Sequence, residues 1–245
     1  MRRRLGNVIL LLVACILVVS ATIQSATGSG FGLIAGPTLI LVAPQLVPAP
    51  LLILTIPMML MVAIRERTHC DARTVGIATV TMIPGIVVGL WFLQRVDTAA
   101  VQCLVAVLAL SAGAVLLSGK SVVGSRRTLA GAGAAAGFMG ALAAMPGPPL
   151  SLTYRPNDAA TLRSTLSTIF LVMAVATLLA LELQVGITGT ELLTAAVFSP
   201  LLACGHVLGS YLSRRISLSA LSRATTYIII AAATVLLAKS AVGLT

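Results

Sequence analysis

Acidic side chains are nearly missing from this sequence, with six Asp and Glu in 245 residues, and charged residues of both signs reach only 9%. So little charge cannot solvate a separate folded domain in water, which excludes a soluble catalytic module. Aromatics are scarce too, at 4%. The 16 Lys and Arg give a net charge of +10, but they fall between apolar runs and form no basic–aromatic stripe. That pattern excludes nucleic-acid binding and fits membrane orientation and anionic headgroups. Cys15, Cys70, Cys103 and Cys204 are scattered without a C-x-x-C pair, so neither a disulfide frame nor a zinc site is expected. The glycine-rich stretch lacks the Gly-Lys-Ser/Thr of a P-loop. No metal or cofactor is expected, and coupling to protons or membrane potential is favoured over direct use of ATP.

What remains is apolar: 58% of the chain, with a mean hydropathy of +1.09. A bilayer core takes about 20 apolar residues per helix, and such runs recur along the sequence. The chain reads as one membrane domain, residues 1–245, an all-α polytopic transmembrane protein. About eight spans are expected, at 5–24, 51–64, 75–92, 99–117, 129–145, 162–183, 192–212 and 221–242. Two further apolar pieces, 33–43 and 150–154, are too short to span and follow Gly/Pro-rich breaks. Arg2, Arg3 and Arg4 before an apolar run, with Leu12-Val13-Ala14-Cys15, resemble a signal or lipoprotein leader. The run continues past Cys15 through Ile23, and a retained first helix is expected. Placing the N-terminus in the cytoplasm puts Arg2, Arg3, Arg4, Arg65, Arg67, Arg73, Lys120, Arg126, Arg127 and Lys239 inside, a modest positive-inside bias.

The sequence repeats. Gly36-Pro37-Thr38-Leu39-Ile40-Leu41 matches Gly147-Pro148-Pro149-Leu150-Ser151-Leu152, each after a small-residue stretch with a Gly-Phe pair. Later, Gly85 and Gly89 with Gln94-Arg95-Val96 match Gly205 and Gly209 with Arg214-Arg215-Ile216. Two matches in one order point to duplicated halves, approximately 5–117 and 129–242, each with a broken or re-entrant Gly/Pro element.

Non-helical backbone at membrane depth survives only inside protein or beside a wet cavity. The breaks at 28–37 and 140–149 are therefore expected to share one cavity. Glycine permits positive φ and close approach, and proline starts a helix without an N–H. Helix N-termini aimed at the cavity would bind an anion without a buried cation. The candidate substrate-binding residues are Gly28, Ser29, Gly30, Gly36, Pro37, Thr38, Gly147, Pro148 and Ser151. Thr153 is a further hydroxyl donor. Serine and threonine equally satisfy backbone carbonyls in membrane helices, and both readings stay open. Gly85/Gly89 and Gly205/Gly209 read as close-packing faces.

These features, over roughly residues 5–242, resemble the TauE/SafE family of sulfite exporters. The resemblance implies a cytoplasmic-membrane permease, by default an exporter, for small anions such as sulfite, sulfonates or thiosulfate. The partners expected are that anion and the lipid bilayer, with a homo-oligomer left open.

Gln24 is expected to face the cavity or another helix. His206 is a candidate proton relay, although its repeat counterpart is Ile86 and a structural role competes. Glu182 and Glu191 are expected at the interface, and His69 in solvent. Two rivals come from other classes. Gly28-Ser29-Gly30 with His206 superficially resembles a rhomboid-type serine protease dyad, though Thr27 replaces the first glycine of its motif. A non-transporting scaffold would explain small residues but leaves the paired Gly-Pro elements without a role.

Overall fold

The computed structural model describes residues 2–118, 125–212, 215 and 218–241. Lys120, Arg214 and Ile216 lie outside the described residues. Within them the α-helices are α1 (Arg2–Thr27), α2 (Phe31–Val42), α3 (Ala49–Arg65), α4 (Ala72–Arg95), α5 (Thr98–Ser118), α6 (Arg126–Ala143), α7 (Gly147–Thr153), α8 (Ala159–Gln184), α9 (Gly189–Leu212) and α10 (Leu218–Ala241). Their starts follow local chemistry. Asp71, Ser125 and Asp158 accept backbone N–H bonds from the first turns of α4, α6 and α8, satisfying donors that have no intrahelical acceptor.

Among the described residues six helices, not eight, are long and apolar enough to cross a membrane; they lie in α1, α4, α5, α8, α9 and α10. The protein is a multi-pass membrane protein. The shortfall has a physical cause: α3 has 17 residues, and α6 opens on Arg126-Arg127 and is filled with glycine and alanine. The short pieces expected at 33–43 and 150–154 are the helices α2 and α7. Large apolar side chains such as Val80, Val87, Leu179, Leu193 and Val207 face outward, as a lipid-contacting surface requires.

Inside the bundle, α4 lies along α6, α1 along α9, α5 along α10 and α3 along α8, while α3 also meets α9 and α4 meets α8. Small residues allow the closest of these approaches. A Cβ on Gly85 would stand 2.0 Å from the Ala134 carbonyl oxygen, and one on Gly209 would stand 2.2 Å from that of Thr22.

Helix directions follow from contacts near the two ends of the bundle. Ile9, Leu10 and Val13 of α1 share a crevice with Gln45, Pro50 and Thr190. The starts of α1, α3 and α9 therefore lie together, at what we term the terminal end. At the opposite end, Gly28 packs on Arg163, which pairs with Glu66. The ends of α1 and α3 thus meet the start of α8 there. This arrangement corrects the charge count made from sequence. Because α2 carries the chain back before α3 begins, Arg65, Arg67, Arg73, Arg126 and Arg127 lie opposite the start of α1, not beside it.

Candidate functional site

The first break is held from within α1. Gly28 and Gly30 have φ values of 81° and 127°, conformations that L side chains rarely adopt. The buried Gln24 amide bridges the gap: Nε2 donates to the Gly28 carbonyl at 2.9 Å, and Oε1 accepts from the Phe31 N–H at 3.0 Å. Gln24 therefore supplies a cap that no residue of the turn itself provides. The N–H groups of Gly32 and Leu33, next in the first turn of α2, have no intrahelical acceptor.

The second break uses different means. Ala144, at φ 54°, ends α6 in the left-handed region, with its N–H on the Gly140 carbonyl at 2.8 Å. Pro146-Gly147-Pro148-Pro149 then opens α7. Two of the first three residues of α7 are prolines, which leaves the Gly147 N–H as the one donor among them.

The two breaks touch. A Cβ on Gly32 would fall 1.6 Å from the Ala144 carbonyl oxygen, and one on Gly36 2.5 Å from that of Ala143. Beside this contact lies a cavity of about 60 Å³. Its walls are Thr27, Ser29, Gly30 and Leu33 from the first break and Gly147, Pro148 and Ser151 from the second, completed by Leu116 and Thr225. A smaller cavity of about 20 Å³ adjoins Gln24, Phe31, Thr55 and Phe170. Among the described residues no charged side chain lines either space. The larger is on the order of two liquid waters in volume, the scale of a small ion.

Of the candidate residues, Ser29, Gly30, Gly147, Pro148 and Ser151 come together in this cavity. Gly28 lies beside it, under the Arg163 stem. Gly36, Pro37 and Thr38 lie inside α2 and line neither cavity. The Thr38 hydroxyl donates to the Ile34 carbonyl and that of Thr153 to the Pro149 carbonyl at 3.1 Å, the backbone-satisfying role. His206 also lines neither cavity. Its carbonyl accepts from the Ser25 hydroxyl at 3.0 Å, and its buried Nδ1 has no partner among the described residues. No hydrogen bond joins it to Ser29 among the described residues, so the protease dyad is not assembled. Near the terminal end, the exposed Glu182 accepts from the Ile187 N–H at 2.6 Å and the half-buried Glu191 from that of Thr188 at 2.8 Å, and His69 is exposed.

Leu116 and Thr225 escaped the sequence reading because α5 and α10 carry no break near them. The pair Glu66 and Arg163 escaped it as well. Arg163 binds the buried Glu66 carboxylate through Nε at 3.2 Å and Nη2 at 2.9 Å. Its neighbour at the surface is a wider hollow near Asp71 and Tyr154. Burial pulls the Asp71 carboxyl upward, but hydrogen bonds from the Thr74 hydroxyl and the N–H groups of Thr74 and Arg73 outweigh it, leaving it below its ordinary value. Tyr154 is raised, first by burial and further by the Asp71 charge, against an opposing bond from Thr165. Its phenol thus remains a neutral donor near pH 7.

The chain matches the sulfite exporter TauE/SafE family over residues 12–236, nearly its whole length. No curated protein and no solved structure matches it. The chain belongs to the sulfite exporter TauE/SafE family, and it is a membrane transporter rather than an enzyme.

Proposed function

We propose that this TauE/SafE member is a secondary transporter that exports a small sulfur oxyanion such as sulfite across the cytoplasmic membrane, holding it between the two breaks. The observation that carries this reading is the shared cavity, in which Ser29 and Gly30 face Gly147 and Ser151. Two hydroxyls and backbone N–H groups at the start of short helices suit an anion that must leave again. A buried arginine would hold it more tightly.

Movement is supported by the packing pattern. Exchanging each of α1–α5 for the helix five places later turns the α4–α6 contact into α9–α1, and α3–α9 into α8–α4, while α5–α10 and α3–α8 map onto themselves. Successive helices alternate in direction and five is odd, so the counterpart helices run oppositely. Two inverted halves around a central site are the architecture on which rocking, alternating-access transport rests.

Orientation follows from the same directions. Arg65, Arg67, Arg73, Arg126, Arg127, Arg155, Arg163, Arg215 and Arg223 lie toward one end, against Arg2, Arg3, Arg4, Arg95 and Lys239 toward the other. The positive-inside rule makes the first, basic end cytoplasmic. The start of α1 then faces outward, the reverse of the placement read from sequence.

The test is flux through the purified protein in liposomes, with radiolabelled sulfite, thiosulfate, a small sulfonate and an uncharged control. Saturable flux of one sulfur anion alone is expected. Folded protein that moves none of them overturns the reading.

A further inference from the structure

A hollow of about 850 Å³ opens at the basic end, and the inner cavity does not explain it. Its walls include Arg73 of α4, Arg126 of α6 and Arg155 just after α7, together with Asp71, Thr153 and Tyr154. Among the described residues none of these three arginines lies within salt-bridge distance of a carboxylate; the ion pairs there are Arg65 and Arg163 with Glu66. Asp71, the one acid in the wall, spends its oxygens on the N–H groups of Arg73 and Thr74 and on the Thr74 hydroxyl. Arg155 is tied to the short helix itself, its Nε reaching the Ser151 carbonyl at 3.5 Å.

Three guanidinium groups facing one hollow without matching carboxylates form a site for oxyanions, whose oxygens pair with the guanidinium fork. The helix α7 joins this hollow to the interior: Thr153 lines the outer space and Ser151 the inner one. We propose that the arginine-lined hollow is the cytoplasmic loading vestibule. It captures the small oxyanion on Arg73, Arg126 and Arg155 and passes it along α7 to the cavity between the breaks. This inference rests on the inner cavity being the substrate site. Clefts lined by one sign of charge raise local counter-ion concentration and capture rate, which compensates for an inner site without a cation.

A transport-independent measurement tests it first. Thr153→Cys, in protein whose four native cysteines are replaced by serine, is labelled in zwitterionic liposomes by matched anionic and cationic thiosulfonate reagents. The anionic reagent should react about tenfold faster. That preference should fall to near parity in Arg73→Gln/Arg155→Gln, and free sulfate should slow the labelling. Equal rates in the parent, or a preference that survives loss of both arginines, overturns the vestibule. A lipid headgroup offers similar oxyanion chemistry, and protection that appears only when phosphatidylglycerol is added reassigns the hollow to lipid and overturns it too.

Sulfite flux supplies the second readout. Arg73→Gln/Arg155→Gln should raise KM about tenfold with kcat retained, while Arg95→Gln at the other end changes neither. An unchanged KM with intact flux overturns the vestibule and leaves the inner site standing. No flux in the unsubstituted protein overturns the proposed function, and the labelling ratio still decides the vestibule.

Discussion

The first break and the second solve one problem in opposite ways. Around α2, glycines at positive φ make the turn and a side chain from the preceding helix, Gln24, satisfies the exposed backbone. Around α7, an alanine makes the left-handed turn and prolines remove the N–H groups that would otherwise need partners. A buried backbone donor must be either bonded or absent, and each break favours one of the two routes. The consequence for an anion is unequal: α2 offers the N–H groups of Gly32 and Leu33, whereas α7 offers that of Gly147 and the Ser151 hydroxyl.

Adding one carbon on each side should separate the two breaks most strongly. Gly32→Ala places a Cβ 1.6 Å from the Ala144 carbonyl oxygen, while Gly147→Ala meets only the Phe170 ring at 3.9 Å. Gly32→Ala should cost about 3 kcal/mol or more and abolish flux, because backbone faces backbone and neither side yields easily. Gly147→Ala should stay folded, as read from denaturation midpoints in mixed micelles.

Removing the amide cap comes next. Gln24→Leu leaves the Phe31 N–H and the Gly28 carbonyl buried without partners, at a cost of about 2–4 kcal/mol. No equivalent substitution exists in the second break, where proline has deleted the donors. Glu66→Ala probes the charge seated over the first break alone. With Arg163 partly exposed, losing its partner should cost about 2 kcal/mol, below the range for a fully buried pair. The smallest effect has the opposite sign: Ala144→Gly removes the side chain from a left-handed residue and should raise stability by about 0.5–1 kcal/mol. A loss of stability instead would mean that the Ala144 methyl packing outweighs its backbone strain.

Glycine and proline at membrane depth demand an explanation, and that signal picked out Ser29, Gly30, Gly147, Pro148 and Ser151, which line one cavity; Gln24 stood out as a polar residue in an apolar run. The relation between the two Gly-Pro elements was less legible. Gly36-Pro37 resembles Gly147-Pro148 in letters, yet the first pair lies inside α2 and the second begins α7. Such short motifs of common residues align without sharing a backbone position. The returning leg was also hidden. Twelve residues of α2 read as too short to matter for sidedness, yet they reverse the chain and move Arg65, Arg67 and Arg73 to the other face. Leu116 and Thr225 had no local signature, since only tertiary packing brings α5 and α10 to the cavity.

If one anion touches both breaks at once, Ser29 and Ser151 must be coupled through it, and a double-mutant cycle on the two serines measures that coupling. KM for the transported anion would be measured for wild type, Ser29→Ala, Ser151→Ala and the double variant. Each single change should raise KM about fivefold, and the double should fall short of their product by about 1 kcal/mol of coupling, as for groups sharing one partner. Strictly multiplicative effects, or no effect from either serine in protein that still transports, would contradict a single site between the breaks.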